Sequence, residues 1–218
     1  MKENNLKKQY DLIYFVGDSF ITAINQADDA DKIITVKNRF SGLISQFYNL
    51  EEVNRGMPGA GNHQIAKQLF QDMFAYKRRK LNPLIIVAYS DPSRLEVYNN
   101  KKEKSESLNK DHTFFKDFMV ESFNDKFNQE CTNFYIDCAR SIINVLNFDY
   151  VECNSISPVF LHKSYFSNQT FIMKSLVQII GKEGCFQNTD FLGHPNIKGH
   201  RLIADTIIAK INELYGTN

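Results

Sequence analysis

One apolar run limits what this chain can fold into. Leu12, Ile13, Tyr14, Phe15 and Val16 follow one another without a polar break, and such a run suits a strand buried on both faces, as in a parallel sheet covered by helices on either side. It stops at Gly17-Asp18-Ser19. Glycine permits a tight exit, and a small hydroxyl residue then stands at the carboxyl end of a central strand. Open α/β sheets carry their sites at that edge. Taken alone, Gly-Asp-Ser also reads as an ordinary turn.

The rest of the chain supplies partners for such a strand. Residues 37–49 place Phe40, Leu43, Ile44 and Phe47 on one helical face. Residues 52–54 read as a short strand, and residues 62–79 as a helix with Ile65, Leu69, Met73 and Tyr76 on one stripe. Asn82-Pro83 breaks that helix, and Leu84 to Ala88 forms a second buried run. This strand-helix-strand order predicts a parallel, doubly wound sheet. Residues 98–110 are charged without apolar period and read as a surface loop. A helical pattern in two parts spans 111–146, a further strand 148–153, a short helix 171–180 and a loop 181–193. Pro195 fits the first turn of a last helix over 196–215. With 218 residues and no repeat or linker, one domain spanning 1–218 is expected.

A net charge of +1 suggests no nucleic-acid partner. The basic run Lys77 to Lys80 suits a solvated helix end. Cys131, Cys138, Cys153 and Cys185 lack metal-binding spacing and read as reduced thiols. The polar start argues against a signal peptide, and no stretch approaches a membrane span. Residence in the cytoplasm, or in a particle, is the expectation.

Near the C-terminus stands Asp190-Phe-Leu-Gly-His-Pro-Asn-Ile-Lys-Gly-His200, ahead of the last helix. GDSF at 17–20 together with HPNIKGH at 194–200 resembles the SGNH/GDSL hydrolases, whose blocks run from the first strand to the last helix. The resemblance implies a three-layer α/β/α sandwich with a mostly parallel, flavodoxin-like sheet. It implies Ser19 as nucleophile and His194 as its base, without cofactor or metal. The family's acid stands three residues before the histidine, where this chain has Phe191. Asp190, one residue earlier, is the candidate; the alternative is a Ser-His dyad whose imidazole is fixed by a backbone carbonyl. Asp18 is expected to hold loop backbone.

Asn54-Arg-Gly-Met-Pro-Gly59 is similar to the family's second block, which assigns the oxyanion hole to the backbone of Gly59 beside that of Ser19. The third block normally supplies an asparagine, and this chain has Ala88-Tyr-Ser-Asp-Pro-Ser-Arg-Leu-Glu96 instead. Ser90 or Asn62 then stands in as third donor. The form SxPxRxE resembles phage-encoded members, and the Phe- and Asn-rich, Trp-free composition fits an AT-rich genome. Arg94 pairs with Glu96 or binds an acidic substrate; the pair is favoured. His63, His112, His162 and His200 read as structural or surface residues, and Asp11, Asp91 and Asp137 stand alone.

These features predict a serine esterase acting on an O-acetylated sugar or polysaccharide, ahead of lipid esters. The competing class is a structural or carbohydrate-binding module on the same fold, such as a virion component. The expected partners of the chain are a small-molecule or glycan ester substrate and a homo-oligomer or virion assembly, without nucleic acid or membrane. Acyl transfer to an alcohol acceptor is a third reading.

Overall fold

The structure, a computed structural model, describes residues 9–22, 34–92, 94, 96–99, 104–107, 125–156, 168–186 and 194–216, without the side chains of 96–99, 104–107 and 125. In chain order the elements are β1 (Leu12–Gly17), α1 (Ser19–Thr22), α2 (Phe40–Tyr48), β2 (Glu51–Gly56), α3 (Asn62–Arg79), β3 (Pro83–Tyr89), β4 (Glu96–Asn99), β5 (Lys104–Ser107), α4 (Asp125–Leu146), β6 (Tyr150–Asn154), α5 (Leu176–Ile180) and α6 (Ile197–Tyr215).

Four strands form one sheet in the order β2-β1-β3-β6, all parallel. The two central strands, LIYFVG and PLIIVAY, are buried at every position, as strands covered on both faces must be. Pro83 opens β3, where its missing N–H costs no interior ladder bond. At one edge β2 (EEVNRG) is charged and half-exposed, which discourages pairing with another chain. Beyond β6, the Glu152 N–H donates to Thr170 O at 3.0 Å and the Ile172 N–H to Glu152 O at 2.8 Å. Phe171 thereby adds a one-residue parallel bridge at that edge. The resulting order is the flavodoxin-like one, with its switch point between β1 and β3.

Alternation along the strands divides the core. Ile13, Phe15, Leu84, Ile86, Val151 and Cys153 face α2, α5 and α6, where Phe40, Ile44, Leu176, Ile203 and Ile207 complete the layer. Leu12, Tyr14, Val16, Ile85, Val87 and Tyr89 face α3 and α4, against Ile65, Leu69, Met73, Ile136 and Ile143. The chain is a three-layer α/β/α sandwich. Among the described residues no helix is long and apolar enough to cross a membrane.

Three local expectations are corrected. The segment read as a loop over 98–110 holds an antiparallel hairpin, β4 with β5, in the register Glu96↔Ser107 to Asn99↔Lys104; Val97 and Tyr98 are strand formers. The short helix expected from 171 begins only at Leu176. The Ser175 hydroxyl accepts the Gln178 N–H at 3.3 Å, and the Gln178 side chain accepts the Ser175 N–H at 2.9 Å. This capping box sets the start, while Phe171 is drawn to the sheet edge. Pro195 lies outside the last helix, in a bridge with Cys185. The cap is Asn196, whose side chain accepts the Gly199 N–H at 3.0 Å.

Candidate active site

β1 ends on the switch point and delivers Asp18 and Ser19 there. Asp18 is fully buried. Its Oδ1 accepts the Phe20 N–H and the Ser155 hydroxyl, both at 3.0 Å, and its Oδ2 accepts the Ser90 hydroxyl at 3.2 Å. Its main-chain carbonyl accepts the Ile21 N–H at 3.1 Å, starting α1. Asp18 therefore ties the ends of β1, β3 and β6 together and sets the backbone on which Ser19 sits. Burial pushes its carboxyl pKa up, opposed first by the Arg94 charge and then by the bonds from Phe20, Ser155 and Ser90.

Ser19 is half-buried, and its Oγ lies 2.9 Å from Nε2 of His194. With the ring hydrogen on Nδ1, Nε2 accepts the serine hydroxyl proton, the contact that a nucleophile and its general base require. The histidine arrives from the other end of the chain, 175 residues away, on a braced loop. The His194 carbonyl accepts the Phe186 N–H at 2.9 Å, and Asn196 Nδ2 donates to the carbonyls of Glu183 and Cys185 at 3.0 Å. In His-Pro-Asn the asparagine thus clamps the loop and caps α6. The Phe20 ring stacks on the imidazole, with centroids 5.2 Å apart and planes 26° apart.

The remaining sequence candidates divide. Gly59 has φ +76° and follows Pro58 in a turn closed by the Ala60 N–H on Met57 O at 3.0 Å; proline then a positive-φ glycine mark a type II turn. Asn54 secures the same region, donating to Ile21 O at 2.8 Å and to the Ser41 hydroxyl at 2.9 Å. Asn62 and Ser90 are both buried and face each other. Asn62 Nδ2 donates to Ser90 O at 2.9 Å and Thr132 Oγ1 at 3.4 Å, while Asn62 Oδ1 accepts the Ser90 N–H at 2.8 Å. Both amide hydrogens of Asn62, and the hydroxyl of Ser90, are directed at protein acceptors.

Arg94 lies with Nη1 3.9 Å from Asp18 Oδ2; the side chain of Glu96, its expected partner, lies outside the described residues, as do Asp190, His112 and His162. His63 is on the exposed side of α3, against Tyr135. His200 is buried, its Nδ1 accepting the Phe40 N–H at 3.2 Å. Burial, then the charges of Arg39 and His194, lower its pKa to about 3. Asp11 accepts the Asn82 N–H at 2.7 Å. Among the described residues no cluster of metal-ligating side chains occurs, and no disulfide joins the cysteines. Sequence reading passed over Ser155 and Phe20. The signal for Ser155 was the one used for Ser19, a hydroxyl residue just past a buried strand.

No family model matches the sequence, and no curated protein does. Solved structures do. A lipolytic protein of the G-D-S-L family from Desulfitobacterium hafniense DCB-2 superposes with a TM-score of 0.55 at 11% identity, over 92% of this chain and 99% of that one. A member of the same lipolytic family from Veillonella parvula DSM 2008 gives 0.48 at 11% identity, over 95% and 98%. A catalytic mutant of an acetylxylan esterase from Geobacillus stearothermophilus gives 0.39 at 14%, over 92% and 94%. On the first superposition, which spans nearly the whole of both chains, this protein has the fold of the G-D-S-L lipolytic proteins.

Proposed function

We propose that this chain is an SGNH-type serine esterase that deacylates an O-acylated carbohydrate through an acyl-enzyme on Ser19. The observation that carries it is the 2.9 Å contact between Ser19 Oγ and His194 Nε2 at the carboxyl end of the central strand.

In this mechanism His194 Nε2 takes the hydroxyl proton as Oγ bonds to the ester carbon, and the carbonyl oxygen becomes an oxyanion. The backbone N–H groups of Ser19 and Gly59, assigned by the resemblance of the second block, are the donors proposed for that charge. Collapse breaks the bond to the alcohol, which leaves with the proton from Nε2. Water then attacks the acyl-enzyme, loses its proton to the same nitrogen, and releases the acid and the free serine. Asp190 completes a triad or is dispensable; either role fits a loop histidine already held by its backbone and by Phe20. Because Asn62 and Ser90 donate elsewhere, neither is assigned to the oxyanion hole.

The same two residues motivate the second reading, a binding module on this fold with weak catalysis. A fluorophosphonate and intact-mass analysis separate them. Esterase chemistry gives a single adduct that Ser19→Ala abolishes. No adduct at high reagent concentration and long exposure overturns it in favour of the binding module.

A further inference from the structure

Among the described residues, three arginines approach carboxylates that are at most 11% exposed, and one does so differently. Arg140 meets Glu152 through Nη2 at 2.7 Å and Nε at 3.0 Å, and Arg39 meets Glu52 at 3.0 Å. Their side chains are 13% and 7% exposed. Arg94 stops at 3.9 Å from Asp18, beyond hydrogen-bond range, and is 24% exposed. Asp18 already takes its hydrogens from Phe20, Ser90 and Ser155. A guanidinium presents five N–H donors in a rigid fork, and at this distance Asp18 takes none of them.

The backbone holds this arginine firmly. Its N–H donates to Asp91 O at 3.0 Å, closing the turn that leaves β3. Its carbonyl oxygen lies 2.3 Å from where a Cβ on residue 61 would stand, so only glycine there lets the turn rest on the start of α3. With its backbone held, the cation stands at the rim of the switch point, 3.9 Å from the residue preceding the nucleophile.

We propose that Arg94 forms an anion subsite next to Ser19, and that the preferred esters carry a carboxylate near the scissile bond, as an O-acylated acidic sugar does. The subsite presupposes the esterase reading of Ser19. A planar fork recognises carboxylate by paired hydrogen bonds, and partial desolvation strengthens each of them. Asp18 beneath it balances its charge when no substrate is bound.

The test compares wild type, Arg94→Gln and Arg94→Lys on 4-acetoxybenzoate and its neutral counterpart 4-acetoxybenzamide, with the rate of Ser19 labelling by an uncharged fluorophosphonate measured alongside. Arg94→Gln is expected to lower kcat/KM on the anionic ester by about 10- to 100-fold, the range of one charge-assisted contact. The neutral ester and the labelling rate are expected to change by less than about threefold, since no charge is recognised there. Arg94→Lys is expected to restore part of the anionic preference. An equal fall on both esters overturns the subsite and leaves Arg94 a counter-ion of Asp18. Normal labelling with no effect of either substitution on the anionic-to-neutral ratio overturns it too. Absence of labelling in the wild type removes the esterase reading itself, and the subsite with it.

Discussion

Among the described residues, two carboxylates are withdrawn completely from solvent, and the fold handles them in opposite ways. Glu152, on β6, is met by Arg140 from α4 at 2.7 and 3.0 Å, by Asn168 at 3.1 Å, by Thr170 at 3.2 Å and by the Tyr89 hydroxyl at 3.2 Å. Its charge is neutralised on the spot, and its bonds join the sheet, a helix and the outer segment. Asp18, at the end of β1, is held by one amide and two hydroxyls, with its cation at 3.9 Å and partly in solvent. Neutral dipoles fix its geometry while leaving the charge only loosely matched. The first arrangement secures a helix against an edge strand. The second orients a turn that carries Ser19, with a cation left at the rim.

That contrast predicts which variants lose activity and which lose stability. The largest effect belongs to the Asp18 side. Ser19→Ala and His194→Ala are each expected to reduce ester turnover by on the order of 10⁴-fold or more, with thermal midpoints close to wild type. Asp190→Ala is expected to lose less than His194→Ala; equal losses, measured as kcat/KM, exclude the dyad. On the other side, Glu152→Gln leaves the Arg140 charge buried without its counter-ion, which costs about 3–5 kcal/mol. The expected readout is a lowered denaturant midpoint, with turnover per folded molecule unchanged. A Glu152→Gln protein as stable as wild type but inactive would reverse the assignment of the two clusters.

A third buried ionisable group behaves differently again. His200 stays neutral in the folded state, with a pKa near 3 against about 6.5 in an unfolded chain. A lowered histidine pKa means that the unfolded state binds the proton first. Stability is therefore complete above about pH 6.5 and falls as pH drops toward 3, by about 2 kcal/mol at pH 5. Asp18, with its raised pKa, works with the opposite sign and offsets part of this loss. The measurement is unfolding free energy between pH 7 and 5. His200→Gln is expected to flatten the slope, and an unchanged slope rules His200 out as its source.

Much of this organisation is written locally. The buried run ending in Gly17-Asp18-Ser19 marks both the central strand and the end where Ser19 meets His194, and the stripe over 62–79 coincides with α3. What escaped depends on distance along the chain. Ser155 reaches Asp18 across 137 residues; its place just past a buried strand marks it as a site candidate without naming that partner. The Arg94–Glu96 spacing suggests a local pair, whose Glu96 side chain lies outside the described residues; the contact of Arg94 with Asp18, just past β1, has no local signal. Phe171 and Ile172 read as helix because a short apolar run has no decisive period; the open edge of β6 settles it as a bridge. Asn62 and Ser90 looked like donors for a reacting oxygen because both are polar and near the right strand ends. Only the bonds of Asn62 to Ser90 and Thr132, and of the Ser90 hydroxyl to Asp18, show where the hydrogens point.

The smallest predicted effect concerns Phe20, which joins the Asp18 cluster to His194. Its N–H is fixed by Asp18 and its ring lies on His194, so the four residues 17–20 position the Ser19 hydroxyl and the imidazole together. A stacked pair contributes about 0.5–1.5 kcal/mol beyond its buried area, corresponding to roughly two- to tenfold in rate if the stack is what orients Nε2. Phe20→Leu keeps an apolar side chain but removes the ring face. It is expected to lower kcat and the fluorophosphonate labelling rate by that factor with KM unchanged, while Phe20→Tyr retains both. A fall in stability with labelling intact would make Phe20 only a core residue. A fall in labelling at wild-type stability would place it with Asp18, among the groups that hold the reacting pair in register rather than hold the fold together.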